Sequence, residues 1–415
     1  MTAIRGLGIA SSLLWCVVVA AGFFSPKTLA FACPVVLIAT YAELSLRSPS
    51  LRRIEITTDV KLFAAFVAFA IASLTWTPAA ATAVPDLVYF VLIAVCAYGC
   101  FNALILQPRL ISNRFARATH VGFAIGVAYL AVRLHTNGLS ERYILKSLGL
   151  TNIKINYGEV TRCVTPVTLL LGPAAMWAMQ ALRSPWNVVS AVALALLAVY
   201  VVAISPHETS KLAIVTWAVA FVLSFAFTAF IRRLLVASWI AAFLLVVPLA
   251  IAARNAELQH AAWLQPTAQQ RILIWDVFAR RTLEAPVLGH GFNSTRSIRP
   301  EIPDLLNLWY LHKKISVPAD IGVFRADHPH NAYLQIWFEL GAVGAALICA
   351  LGLLVFLRLD RLSQQSRYML ATFAAAQVIL LSSYGAWQSW FAAMFAVCAY
   401  ACAASIGTQN PSKSE

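Results

Sequence analysis

The sequence predicts an all-α polytopic membrane protein of about 12 transmembrane helices, and three observations carry that expectation. Its 415 residues are 60% hydrophobic and 12% charged, with a mean hydropathy of +0.76. A soluble core of this length cannot bury so much apolar surface, so the bilayer is the main solvent. The apolar residues also come in runs of roughly 20, the length of one span. Basic residues crowd alternate loops between those runs.

The runs fall at about 7–24, 28–46, 61–76, 85–106, 118–134, 163–182, 186–204, 210–230, 234–252, 331–357, 368–384 and 387–406. With a cytoplasmic amino terminus, the cytoplasmic loops hold Arg47, Arg52 and Arg53; Arg109, Arg114 and Arg117; Arg183; Arg232 and Arg233; and Arg358, Arg361 and Arg367. The short loops opposite hold almost only Lys27, as the positive-inside rule requires. The formal charge of +14 is therefore largely a topology signal with some reach to anionic headgroups, and it needs no nucleic-acid partner. The first run has a second reading as a signal peptide ending at Ala30-Phe31-Ala32, but it is long for an h-region and the charge rule is satisfied with it retained.

This plan divides the chain into residues 1–252 with helices 1–9 and a loop at 135–162, a large partly helical loop at 253–330, helices 10–12 at 331–406, and a polar cytoplasmic tail at 407–415. By parity both loops face away from the cytoplasm. The eight cysteines lie in or at the ends of spans, and Cys96/Cys100 and Cys398/Cys402 lack histidine or carboxylate companions. They read as packing residues rather than as disulfides or metal ligands.

Chemistry concentrates at the large loop and the helix that follows it. His330 opens the tenth span, and on an unbroken helix Leu334, Trp337, Gly341, Gly344 and Ile348 fall within about 40° of its direction. Gly341 and Gly344 then lie beneath the histidine, and Gly341 with Ala345 allows close helix approach. Taken alone, His330 reads equally as a cap residue. The positive end of the helix dipole would keep the ring neutral, able to accept a proton, beside amides that can hold a phosphate oxygen.

Residues 266–283 read as a helix begun by Pro266 and ended by Pro286, Gly289 and Gly291. Arg280 has Asp276 four residues earlier as a partner. Arg271 has none and lies on the stripe of Ile274, Trp275 and Phe278, where an unpaired guanidinium suits an anionic ligand. Lys211 follows Pro206-His207-Glu208-Thr209-Ser210 at the mouth of the eighth span, and it either binds an anion or snorkels beside Glu208. Arg325, Asp327 and His328 crowd the approach to His330, and Arg133, Arg142, Lys146 and Arg162 surround the smaller loop. Any of these could meet a phosphate or a sugar, with Arg325, His328 and Arg142 as the further substrate-binding candidates. Glu339, on the face opposite His330, is expected to pair inside the bundle.

The sequence contains no Asp-x-Asp pair, no His-Glu-x-x-His helix, no Walker loop and no Gly-x-Ser-x-Gly elbow. A neutral histidine among isolated cations suits transfer from a lipid-borne phosphate leaving group, with no metal or other cofactor expected.

The run His330-Asn331 followed by Gly341-x-x-Gly344 resembles the signature of the O-antigen ligase and O-antigen polymerase superfamily. Arg271-Ile272-Leu273-Ile274-Trp275 through Pro286, Gly289 and Gly291 is similar to the loop motif that precedes it. The resemblance implies a GT-C-like, metal-independent, inverting glycosyltransferase in the inner membrane of a bacterium, with its site facing the periplasm. The implied donor is a glycan on undecaprenyl pyrophosphate, and in the ligase version the acceptor is the lipid A core. His330 is then the general base or orients the acceptor hydroxyl, Arg271 and Lys211 bind the pyrophosphate, and Asn331, Gly341 and Gly344 complete the motif. The family often has Ser-Arg where this chain has Ser210-Lys211, which keeps the charge but loses the bidentate fork. Protein-glycosylating relatives tend to carry a soluble extension after the last span, and the sequence stops about ten residues past its last span, which counts against that expectation. A polymerase remains the alternative within the superfamily. From another class the rival is a lipid-linked glycan transporter or flippase, which predicts midplane charges and broken helices.

Overall fold

The structure, a computed structural model, describes residues 2–47, 57–105, 109–139, 146–147, 157–318, 321–359, 366–382 and 384–406. Eight helices come first: α1 (Thr2–Phe24), α2 (Leu29–Arg47), α3 (Thr58–Ser73), α4 (Ala80–Ile105), α5 (Arg109–His135), α6 (Tyr157–Ala181), α7 (Trp186–Ile204) and α8 (Glu208–Asn255). An extramembrane stretch follows, made of α9 (Pro266–Thr282), the single turn α10 (Thr295–Ile298), β1 (Glu301–Ile302), α11 (Leu305–Lys313) and β2 (Phe324–Arg325). The chain then returns to the bundle in α12 (Ala332–Leu359), α13 (Ser366–Ser382) and α14 (Ser389–Ile406). β1 and β2 form an antiparallel ribbon with Glu301 opposite Arg325.

Among the described residues, eight helices are long and apolar enough to cross a membrane, and Gly8–Phe24 and Ser366–Ser382 are shorter apolar helices. The protein is an all-α polytopic membrane protein. The longest helix, α8, has 48 residues, about 72 Å if straight and far more than one bilayer core of about 30 Å. It is not straight. Phe227 leaves the helical region at φ −130°, ψ 40°, where Ser224 and Thr228 bond back to carbonyls one turn earlier, an arrangement that bends helices. Thr209 meets Ser382 at one end of α13 and Phe221 meets Tyr368 at the other. Past Phe227, Leu235 accepts a bond from Gln377 and Trp239 lies against Phe373, so the second arm climbs back along α13. With α8 counted as two arms and α3 included, each of the 12 apolar runs read from the sequence is helical.

α1 is built into the bundle. Trp15 is fully buried and donates to Thr119 of α5 at 2.8 Å, while Gly122 and Gly126 let α5 close on Cys16, Val19 and Phe23. Small residues at such a crossing bring helix backbones into contact.

The largest departure from the sequence reading is in α12. Gly341 has φ 59° and ψ −160°, so the helix is broken there and the phase argument that placed both glycines beneath His330 does not apply. Tyr333 and the carbonyl of Cys349 both touch Trp239, although a straight helix would hold them about 24 Å apart. The arm before the break is folded against the arm after it. Into the joint runs the segment 286–291. His290 N–H donates to the Phe338 carbonyl at 3.0 Å and Gly291 N–H to that of Glu339 at 2.8 Å, while Ala342 and Val343 donate to the Pro286 and Val287 carbonyls. These bonds engage backbone groups on both sides of the break, so the fold meets the requirement that buried amides find partners. The glycines are needed for this crossing rather than for a helix pair. A Cβ on Gly341 would lie 2.3 Å from the Val287 oxygen, and one on Gly289 would lie 2.4 Å from Glu339 backbone atoms. Gly344 faces Leu340 of its own helix.

Gly341→Ala adds a left-handed backbone penalty to that overlap, together about 2–4 kcal/mol. Its thermal midpoint in detergent is expected to fall clearly, whereas Gly322→Ala, in open space, should leave the midpoint unchanged. Equal midpoints would mean that the joint yields without cost.

Candidate active site

The helix cap at the start of α12 is Asn331. Its Oδ1 accepts the Leu334 N–H at 3.0 Å, the bond that a capping asparagine makes to the third helical amide. His330 therefore stands one residue outside the helix, in the left-handed region at φ 54°, rather than in the first turn. Its own N–H donates to His328 Nδ1 at 3.1 Å, and the two rings lie 4.2 Å apart. Because His328 Nδ1 accepts, a neutral ring carries its proton on Nε2. Burial first, then His330 and the arginines Arg296, Arg162 and Arg271, push His328 well below the usual histidine value. Trp275 of α9 donates to the carbonyl of Pro329 between the histidines at 2.9 Å.

The apolar stripe of α9 turns Arg271 toward the bundle, with Ile274 and Phe278 buried beside it. Its Nη1 donates to Ser382 Oγ at 2.6 Å and Thr209 Oγ1 at 3.4 Å, bonds to hydroxyls rather than to any carboxylate among the described residues. Burial lowers the Arg271 value, yet a guanidinium stays charged. Beneath it, His207 is buried, with Nδ1 2.7 Å from Ser210 Oγ and Nε2 3.4 Å from the Tyr384 hydroxyl. Desolvation and then the charge of Arg271 push His207 down to about 3, so this ring is neutral.

A second cation arrives from α6. Arg162 lies over the Trp390 ring at 5.9 Å, and its buried Nε has no hydrogen-bond partner among the described residues. Arg296, in α10, is held by Asp86 of α4 at 2.9 Å, and Asp86 also accepts from Asn293. Glu339 organises the floor of the site. It is fully buried and accepts from the Asn293 N–H, the Thr295 hydroxyl, the Gln335 amide and the Trp387 indole. It pairs inside the bundle through neutral donors instead of a cation.

Of the residues singled out in the sequence, Arg271, His328 and His330 come together. Lys211 does not join them by any contact described. It pairs with Glu208 at 3.0 Å and is 37% exposed, because two positions along a helix turn it about 200° from Thr209, which does face Arg271. Arg325 is an exposed partner of Glu301 across the ribbon. Arg142 lies outside the described residues. Arg280 pairs with Asp276 at 2.8 Å, as the spacing predicts. The sequence reading missed Arg296, Asp86, His207 and Tyr384. His207 was legible as the histidine four residues before Lys211, whereas nothing local marked Arg296. Among the described residues no group of three or more His, Cys, Asp or Glu has the arrangement of a metal site.

The fold and this cluster define a polytopic helical membrane protein with a cationic, histidine-bearing site at one end of its bundle. Residues 193–349, which include Arg271, His330 and both glycines of the motif, match the family model described as O-antigen ligase. The chain is 32% identical over 130 residues, 31% of its length and 30% of the relative's, to "Putative polysaccharide ligase RP358" of Rickettsia prowazekii (strain Madrid E). It is 28% identical over 206 residues, 48% of each chain, to a protein of Rickettsia felis (strain ATCC VR-1525 / URRWXCal2) that bears the same name without the number. The chain thus spans between about a third and about half the length of these curated relatives. Residues 193–349 are thus similar to the O-antigen ligase family, and both of these relatives carry the name of a polysaccharide ligase.

The depressed His207 value sets a pH dependence. On unfolding the ring regains its ordinary value near 6.5, so below that pH the unfolded chain binds a proton that the folded chain refuses. Stability is full above pH 6.5 and declines as pH falls toward about 3, by about 1.4 kcal/mol at pH 5.5 from this group. Thermal midpoints measured between pH 7.5 and 5.5 should fall in the wild type and fall less in His207→Gln. Parallel slopes would contradict the assignment.

Proposed function

We propose that the protein moves a glycan from undecaprenyl pyrophosphate to a hydroxyl of the lipid A core, at the periplasmic face of the inner membrane. The observation that carries the reading is the convergence of Arg271 and Arg162, both without a carboxylate partner among the described residues, on the neighbouring His328 and His330. Two arginines with no carboxylate partner among the described residues, beside the neutral His328 ring and the neighbouring His330, suit a pyrophosphate leaving group and a hydroxyl nucleophile. The likeness of residues 193–349 to the O-antigen ligase family supports glycan and lipid-linked classes of substrate in general terms.

In that reading the acceptor oxygen attacks the anomeric carbon from the side opposite the pyrophosphate. The new C–O bond forms as the old one breaks, which inverts the centre, and the bonding pair departs on the phosphate oxygen. Arg271 and Arg162 take up the charge that grows there. His330 receives the hydroxyl proton, its ring presented by the left-handed backbone and the Asn331 cap. His328 donates through Nε2 and orients without acting as base, since four cationic or protonatable neighbours oppose its protonation. Lys211, turned to Glu208, stands outside this cradle, so Arg162 takes the role that the sequence alone suggested for it.

The broken α12 is a feature that a transporter would also show. Here chain segment 286–291 bonds to both sides of the break, leaving it a structural joint.

Purified protein should be given carrier-linked glycan together with either lipid A core or further carrier-linked glycan. Extension of the core is expected, and extension of carrier-linked glycan alone would indicate a polymerase. His330→Ala should lower the rate by about 10²–10⁴-fold and Arg271→Lys by about 10²-fold, read as initial rates at saturating acceptor. Wild-type rates in His330→Ala would remove it as base.

A further inference from the structure

The stretch between the ribbon strands is apolar on its outer side. In α11, Leu305 and Leu308 are buried against the protein, yet Trp309 and Leu311 face outward, and Ile315 and Val317 continue the exposed patch. Leu311 is 68% and Ile315 55% exposed, too much for a short helix meeting only water. Lys313 and Lys314 stand in the middle of this patch, make no ion pair among the described residues, and have no Asp or Glu within residues 305–318.

The position of the patch is set by a tether. Asp304, which precedes α11, lies 3.5 Å from Arg254 near the end of α8. Leu249 of α8 is still 60% exposed, as a lipid-facing residue is, and Arg254 stands about 7.5 Å further along the axis. A residue that far beyond a lipid-facing leucine suits the headgroup region. An exposed tryptophan with leucine and isoleucine beside paired lysines is the composition of a helix lying in that interface.

We propose that α11 and the residues after it, to Val317, lie on the outer surface of the bilayer core and bind anionic phospholipid headgroups through Lys313 and Lys314. A second copy of the chain is the poorer occupant, because two-fold pairing would set the lysine pairs against each other. The contact also reaches the candidate site. The ribbon closes the base of the stretch, Ala326 N–H donates to the Pro300 carbonyl at 3.1 Å, and the strands lead directly to Arg296 and His328. Holding the patch on the membrane fixes the ends of the chain that carry those residues.

The test uses the full-length protein in nanodiscs containing phosphatidylglycerol or phosphatidylcholine with a diazirine high on the acyl chain, irradiated and mapped by mass spectrometry. Peptides of α7 around Leu196, which is 66% exposed, serve as the lipid-facing standard and as the check that each variant is folded. Labelling of residues 309–317 is expected in phosphatidylglycerol, falling roughly fivefold for each of Lys313→Gln and Lys314→Gln, and falling in phosphatidylcholine without any variant. Absence of label there while α7 is labelled, whether the stretch exchanges its amides freely or is shielded by another copy, would overturn the proposal. Labelling indifferent to headgroup charge and to both lysines would overturn it equally.

Discussion

The exchange of backbone hydrogen bonds between 286–291 and the break in α12 is the constraint on which the rest of the site depends. A span interrupted in lipid is tolerated only if its freed amides and carbonyls are bonded again by protein. Four such bonds do so here, from two donors on each side. They also tie the end of the α9 region to the middle of α12. Since α9 carries Arg271 and the first arm of α12 is capped beside His330, the joint sets the separation of the two residues that the proposed chemistry needs most.

Glu339 locks the joint from within. Its carbonyl accepts from Gly291 while its carboxylate gathers donors from the 293–295 turn, from Gln335 and from Trp387. A buried carboxylate is costly unless each lone pair is used, and four donors use them. Gln335 extends the connection by accepting the Ala386 N–H at 2.8 Å, next to Gly385, which closes on the His328 ring. The floor beneath the histidines is therefore held by neutral donors, and Arg271 and Arg162 keep no carboxylate partner among the described residues.

The spans were legible because a bilayer demands long apolar runs and one-sided arginines whatever the tertiary fold. Arg271 was legible because an arginine without an i+4 partner on an apolar stripe is expensive to waste. The break at Gly341 was not, since helical phase presumes an unbroken helix and only the crossing of 286–291 ends it. For the same reason the paired glycines looked like a helix contact. Asn331 could have been read as the cap from its residue type, leaving His330 outside the helix. Arg296 was beyond reach as a site residue, because its neighbour Asp86 is more than 200 positions away, whereas Arg162 stood only as one of several cations around the smaller loop, with nothing local to single it out.

The central claim is that Arg271 and His330 address the same lipid-linked pyrophosphate sugar. Cryo-electron microscopy of the protein in a nanodisc with an unreactive carrier-linked glycan analogue tests it most directly. The account predicts phosphate density within hydrogen-bond reach of Arg271, with the anomeric carbon facing the His330 ring. Density for the pyrophosphate at Lys211 with Arg271 still bound only to Ser382 and Thr209, or a sugar remote from His330, would contradict it.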